Sequence, residues 1–303
     1  MPEVILEADV LEALTPFRRE LRRVAPVLRR DLPWMGIGDP WAIFVSEVML
    51  QQTSTRRVIE PWRRFLDAFP TPESCARAPL AEVLRLWSGL GFPRRAKSLQ
   101  GAARVMCEKF NASVPSAIDD LLSLPGVGSY TAHAVASFAF NAPVAVLDTN
   151  VGRVVSRALA NRLLRPSEAQ AIATGLLPRD GVAAFNQAML DLGAQFCTRA
   201  PRCAVCPLRR KCRFHREGGT DPAPGSAAVS RRQAPFAGSD RQVRGRLMKA
   251  LHERPLTRGS LLGLVDDVNV ERVEVLLDQL VQEGLIGYDG SHFALGNLGE
   301  DAR

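Results

Sequence analysis

Three sets of residues in this chain have types and spacings that could do chemistry. Glu47 sits in the middle of the apolar run "WAIFVSEVMLQQT", Trp41 to Thr53. A carboxyl kept from water is favoured in its protonated form and can then act as an acid. The other reading is a structural glutamate bonded to backbone or to an arginine. Asp148 follows an apolar stretch and precedes a helical pattern in "APVAVLDTNVGRVVSRAL". It either caps that helix or presents a carboxylate at the mouth of a cleft. Cys197, Cys203, Cys206 and Cys212 lie close together in "CTRAPRCAVCPLRRKC", spaced C-x5-C-x2-C-x5-C. Thiols this dense point to metal, and a zinc site usually shows two separated close pairs where this segment has one. Cys75 and Cys107 stand alone on helical patterns and read as buried apolar residues.

A fourth feature could bind an anion. "SAIDDLLSL" is helical, "PGVG" stops it, and "SYTAHAVASFAF" is helical again, which gives a helix–hairpin–helix. Gly126 and Gly128 permit positive φ and leave backbone N–H groups uncovered. With the N-terminus of the following helix they make a place for one phosphate oxygen. The competing reading is an ordinary turn between helices with a glycine cap.

The elements that must position these residues are helical almost throughout from Val4 to Val155. "LAEVLRLWSGL" and "AKSLQGAARVMCEKF" carry apolar residues at helical spacing, and Thr71-Pro72 and Ser116 mark helix starts. "REGGTDPAPGSAAVSRRQAP" loses all apolar period and reads as a linker over 217–235. Beyond it come three helix candidates and a hairpin signal at Asp289-Gly290, a winged-helix-like pattern over 236–303. The tail opens with Arg241, Arg244, Arg246 and Lys249, which suit DNA, but its third helix is acidic, which suits a compact cap. Apolar residues make up 46% of the chain, so it is globular; Lys+Arg exceed Asp+Glu by 39 to 32, which is compatible with a polyanion partner. No run has the length of a membrane span, and the N-terminus lacks the pattern of a signal peptide. The expected location is cytoplasmic, nucleoid-associated in a bacterium, where cysteines act as thiols or metal ligands.

"LPGVG" with an aspartate before a helix downstream resembles the helix–hairpin–helix DNA glycosylases. Members with lyase activity carry a lysine directly before "TA"; Tyr130 stands there, which implies a monofunctional glycosylase with no Schiff-base amine. "SEVMLQQT" closely resembles the signature of MutY-type adenine DNA glycosylases. That resemblance implies that Glu47 protonates N7 of adenine and Asp148 stabilises the oxocarbenium charge on the sugar. It implies that Tyr130 and Asn150 position the aspartate and the reacting sugar, and that Gln52 wedges beside the flipped base. "GLGFPRR" resembles a segment that inserts near the lesion base, with Phe92 keeping a stacking face where the family often has tyrosine. Gln187 falls on an adenine-contacting position. "LPWM" resembles the family's usual "LPWR", which implies that Trp34 can line the pocket, while Met35 lacks the guanidinium.

For the cysteines the resemblance implies a [4Fe–4S] cluster with a structural and DNA-positioning role, its first gap one residue shorter than the family norm. The intervening Arg199, Arg202, Arg209 and Arg210 suit phosphate contact. The expected fold is all-α and two-lobed. A six-helix barrel over 31–147 carries the hairpin, the N-terminal helix (1–30) joins the cluster lobe (148–216), and DNA crosses the cleft. The implied partner is double-stranded DNA with adenine opposite 8-oxoguanine or guanine, bound by a monomer. No domain resembling nucleotide-pyrophosphate hydrolases is expected in the short tail. Two rivals are a thymine/G-mismatch glycosylase and an inactive damage sensor. "LQQT" and Gln187 favour adenine, and intact Glu47 and Asp148 argue against lost activity.

Overall fold

A computed structural model describes residues 6–229 and 235–296. They fall into two compact units, one made of residues 6–38 and 128–229, the other of 39–127 and 235–296. This division differs from the expected one. The helix Ser129–Phe140 and residues 141–147 belong with the cysteine segment rather than with the barrel, and the tail belongs with the barrel. The structure is mostly helical, with three short strands near the C-terminus. Among the described residues no helix is long and apolar enough to cross a membrane.

The first unit is built on the helix Ala8–Leu28. Val10, Leu14, Phe17, Leu21, Val24 and Leu28 recur every three or four residues and are all buried, forming one apolar stripe. That stripe packs in one core with the helices Pro166–Gly175 and Val182–Gln195. Arg18 caps the end of the former by donating to the carbonyls of Gly175 and Leu176 at 2.6 and 2.8 Å. The helix Thr149–Val154 continues into a π-helical turn, Val155–Ala160. The segment expected as a linker is built into this unit over Asp221–Ala228. Ala223 and Ser226 are buried, the Ala227 N–H donates to the Leu164 carbonyl at 2.9 Å, and the Thr149 hydroxyl donates to the Ala228 carbonyl at 2.8 Å. Small residues and backbone groups make these contacts, so no apolar period announces them. Ser230–Ala234, the rest of that stretch, lies outside the described residues.

In the second unit the helix Pro40–Leu50 starts at Asp39, whose carboxylate accepts from the N–H groups of Trp41 and Ala42, with proline at the first helical position. Every residue from Trp41 to Met49 is buried. Buried indoles find acceptors: Trp41 donates to the Phe69 carbonyl at 3.0 Å and Trp62 to that of Ala42 at 2.8 Å. The helices Thr55–Ala68, Pro72–Arg77, Leu80–Leu86, Arg94–Lys109 and Ile118–Leu122 complete the bundle.

The tail of this unit runs helix Asp240–Glu253, strand Leu256–Thr257, helices Arg258–Gly263 and Val270–Gln282, then strands Ile286–Tyr288 and His292–Leu295. The last strand lies between the other two, antiparallel to both, with Phe293 opposite Leu256 and Tyr288. The two-residue first strand was invisible in sequence because two residues carry no period. Glu283 fixes the tail to the helix Arg94–Lys109: its carboxylate pairs with Arg94 and Arg244, and its carbonyl accepts from Lys97 Nζ at 2.6 Å. Arg244, a candidate DNA contact in sequence, is thereby engaged, and Arg246 pairs with Asp267. Glu283→Gln is expected to lower stability by about 2 kcal/mol, the order of a lost charged hydrogen-bond pair. Urea unfolding checks this; an unchanged midpoint would show that the pairs contribute nothing.

Candidate active site and cysteine loop

Glu47 lies on the helix Pro40–Leu50 in the second unit and is 4% exposed. Beside it Ser46 donates back to the Ile43 carbonyl at 2.7 Å, so the helix keeps its buried hydroxyl satisfied. The helix stops at Leu50. Gln52 follows in the left-handed region at φ 57° with its side chain exposed. Phe92, in the loop before the helix Arg94–Lys109, is likewise left-handed at φ 49° and exposed. Non-glycine residues rarely adopt this conformation, and they concentrate at functional loops.

Asp148 lies in the first unit and is half-buried. Both sequence readings meet in it. As cap of the helix Thr149–Val154 it accepts from the Val151 N–H at 2.8 Å, and its other oxygen accepts from Asn150 Nδ2 at 2.6 Å. Burial pushes its carboxyl above the usual range, against the pull of those two donors and of Arg153. Asn150 is held in turn, its Oδ1 accepting from Arg153 at 2.6 Å. Arg153 also donates to the carbonyl of Cys197 at 2.7 Å and to that of Gly193 at 3.1 Å. A hydrogen-bonded path thus runs from Asp148 to the first cysteine of the loop.

Gly193 was missed in sequence. It is on the helix Val182–Gln195, and a Cβ there would stand 2.6 Å from both Cβ and the carbonyl oxygen of Asn150. Gly193→Ala should therefore displace Asn150, at a cost of ~1–3 kcal/mol for overpacking. The same variant should slow any step that needs Asp148 in place; wild-type stability and rate together would show the approach to be slack.

Tyr130 is half-buried against the core of the first unit, and Trp34 is buried in the same unit. Gln187 donates from Nε2 to Asp191 at 2.8 Å. Asp191 is 1% exposed and accepts from Arg30 Nε at 2.6 Å, an ion pair that sequence reasoning did not find. The helical spacing of Gln187 and Asp191, four residues apart on one face, was the available signal.

At the hairpin only Gly126 has positive φ, at 76°. A Cβ there would meet that of Ser98 at 2.6 Å, so glycine is required twice over. Gly128 corrects the expectation. Its φ is −96°, open to any residue, and it serves as N-cap of the helix Ser129–Phe140 without a side-chain acceptor. A Cβ at Gly128 would face open space, so glycine there keeps the approach to the helix N-terminus clear.

The four loop cysteines are free and half-buried, and Cys197, Cys206 and Cys212 pack against the core. Burial pushes the thiols of Cys197, Cys206 and Cys212 up, that of Cys212 to about 11. Cys212 lies near enough to feel Cys197, Cys203 and Cys206, and Cys206 to feel Cys197 and Cys203. Arg157, 1% exposed on the π-helical turn, points at this group: it lies 3.4 Å from Cys197 Sγ and donates to the Thr198 carbonyl at 2.7 Å. Burial disfavours its charge, but the Asp221 carboxylate and Cys197 together hold its pKa above the ordinary arginine value. Backbone N–H groups of Leu208 and His215 donate to Cys206 and Cys212. Among the described residues no three His, Cys, Asp or Glu side chains form a ready site for a metal ion. The chemistry of the donor set nevertheless suits an iron–sulfur group: four soft thiols close in sequence, with Arg157 at Cys197 and backbone N–H groups at Cys206 and Cys212. Arg199, Arg202, Arg209 and Arg210 are exposed around the loop, Arg202 over the Phe196 ring at 6.0 Å.

A hairpin between helices, a buried glutamate and a hydrogen-bonded aspartate define a class. Residues 45–179 match the family described as HhH-GPD superfamily base excision DNA repair protein. The fold agrees with that class. A thermostable thymine-DNA glycosylase superposes with TM-score 0.63 at 27% identity, over 68% of this chain and 98% of its own. A trapped endonuclease III–DNA covalent intermediate superposes with TM-score 0.61 at 24% identity, over 70% of this chain and 99% of its own, a likeness of fold alone. Within the class the similarity narrows. The chain is 44% identical over 286 residues to an adenine DNA glycosylase of Mycolicibacterium smegmatis, covering 91% of this chain and 94% of the relative. It is also 44% identical to one from Mycobacterium tuberculosis H37Rv, over 85% of this chain and 86% of the relative, and 39% identical to one from Rattus norvegicus, over 74% and 47%. The chain belongs to the adenine DNA glycosylases.

Proposed function

We propose that this adenine DNA glycosylase removes adenine mispaired with 8-oxoguanine or guanine in double-stranded DNA, and that Glu47 and Asp148 divide the work. Glu47 gives its proton to N7 of the extruded adenine, so the base leaves neutral as the C1′–N9 bond breaks. Asp148, ionised, stabilises the positive charge left on the sugar until water adds. The observation that carries this reading is the setting of the two carboxyls. Glu47 is 4% exposed on a helix buried from Trp41 to Met49, and Asp148 is held by the Val151 N–H and Asn150 Nδ2, donors that oppose the burial raising its pKa. Tyr130, with Asn150, positions the aspartate and the sugar, and offers no amine for strand cleavage. Gln187 and Trp34 line the adenine pocket, and Gln52 and Phe92 enter the duplex on either side of the vacated position. Gly126, Gly128 and the arginines at 199, 202, 209 and 210 hold phosphates. The chain acts as a monomer.

Removal of adenine from A opposite 8-oxoguanine, with T opposite G as control, tests the reading. Release of thymine alone would overturn it in favour of the mismatch rival. The thymine-DNA glycosylase shares the fold, but the adenine relatives match a larger share of the chain at higher identity.

Cys197, Cys203, Cys206 and Cys212 would hold a [4Fe–4S] cluster. Bound there, it would cross-link the loop and so hold Arg199, Arg202, Arg209 and Arg210 in place for phosphate contact, and hydrolysis would need no redox chemistry from it. The purified protein should be brown with broad visible absorbance and contain about four irons per chain. Zinc on elemental analysis would overturn the assignment. The tail, winged-helix-like in element order, acts as a brace on the barrel.

A further inference from the structure

Two loops of the second unit carry left-handed residues, Gln52 at φ 57° and Phe92 at φ 49°. One side chain touches both loops. Arg95, half-buried at the start of the helix Arg94–Lys109, donates from one guanidinium nitrogen to the carbonyls of Val48, Met49 and Gln51 at 3.1, 2.9 and 2.6 Å. Its other terminal nitrogen donates to the Thr53 hydroxyl at 3.0 Å and to the carbonyls of Leu90 and Gly91 at 3.1 and 3.0 Å. The guanidinium thus holds the carbonyl immediately before Gln52 and the carbonyl immediately before Phe92. It also caps the C-terminus of the helix that bears Glu47. Its Cζ lies 5.5 Å from the Phe92 ring centroid and 5.4 Å from that of Trp87. The Thr53 hydroxyl closes the arrangement by reaching the Leu90 carbonyl at 3.3 Å.

We infer that Arg95 is a positioning residue for base extrusion: it locks the Gln52 and Phe92 loops into one register, so that both enter the duplex together. The inference rests on the DNA-probing roles proposed for Gln52 and Phe92. The chemistry requires arginine. A planar fork can divide its donors between two loops, whereas a lysine ammonium presents all of its donors at one point and can hold one loop at a time. The device acts at a distance from the reacting bond. It sets where Gln52 and Phe92 stand, and misplacement by about 1 Å can cost on the order of 100-fold in rate.

The test is a double-mutant cycle read by two signals. Emission of 2-aminopurine placed opposite 8-oxoguanine reports extrusion, and single-turnover release of adenine from the A:8-oxoguanine duplex reports chemistry. Arg95→Lys should reduce both, release by about 100-fold, while binding to an undamaged duplex is retained. In a Gln52→Ala/Phe92→Ala background the same change should cost nothing further, because the loops it positions no longer carry their side chains. Losses that simply multiply would show a general structural role and overturn the proposal. Thr53→Val, which keeps shape and removes the shared hydroxyl, gives a second variant if Arg95→Lys fails to fold. It should show a smaller loss with the same non-additivity, and additive behaviour overturns the proposal equally. A wild-type protein inert on A:8-oxoguanine would remove the functional reading and this inference together. An active wild type with multiplying losses removes this inference alone.

Discussion

Glu47→Gln is expected to bind a duplex containing A opposite 8-oxoguanine and to release adenine ~10²–10⁴-fold more slowly, the range for loss of a general acid. The substitution keeps the shape of a side chain that is 4% exposed in a fully packed helix, so folding should survive it. What it removes is the proton. Neutral adenine is a leaving group only once N7 is protonated, and an amide cannot supply that proton at neutral pH. Single-turnover release set against a binding titration separates the two effects. A variant that binds normally and turns over normally would take Glu47 out of the mechanism. One that neither binds nor folds would make it structural, which is the other reading the sequence allowed.

Much of this site was legible because its chemistry is local in sequence. Glu47 stands out as one carboxyl among apolar neighbours, the four cysteines by density, and the hairpin by "PGVG" between two helical patterns. What escaped notice was long-range or backbone-mediated. Arg157 lies in an unremarkable helical pattern, and nothing near it announces that Asp221, 64 residues on, completes its ion pair. Gly193 looks like any helical glycine until Asn150 is seen against it. Arg95 reads as a solvated basic residue in "PRRAK", yet backbone carbonyls, which leave no mark in sequence, are most of its partners. The packing of Asp221–Ala228, within the stretch read as a linker, left no mark for the same reason, since Ser226 and Ala227 bind through backbone and hydroxyl groups. The tail's basic opening was ambiguous in sequence because charge alone does not reveal a partner. Arg244 finds Glu283, and the segment that looked poised for phosphate spends part of its charge on docking.

Asp148→Asn is expected to reduce adenine release by ~10²–10³-fold, the scale on which a preoriented electrostatic group acts in a closed site. The polarity of its surroundings makes the carboxylate hard to replace. Arg153 can only donate, so Asn150 must turn its oxygen toward Arg153 and its amide N–H toward Asp148. The Val151 N–H fixes the other oxygen. Position 148 is thus asked for two acceptors, and asparagine offers one, with a donor facing a donor. Burial acts in the opposite sense. Because the folded protein holds this carboxyl above its ordinary value, ionised Asp148 opposes folding at neutral pH, and stability from this group returns as pH falls through the raised value. Activity must follow the reverse course: the anion is lost on acidification, so the acid limb of single-turnover release should lie above 3.8, the ordinary value of an aspartate. The charge itself can be read without turnover. DNA carrying a cationic pyrrolidine in place of the sugar mimics the oxocarbenium ion, and a tetrahydrofuran of the same shape is neutral. Wild-type protein should prefer the cation, and Asp148→Asn should lose that preference while still binding the neutral analogue. Equal preference in both proteins would mean that Asp148 caps its helix and that the positive charge on the sugar is met by some other group.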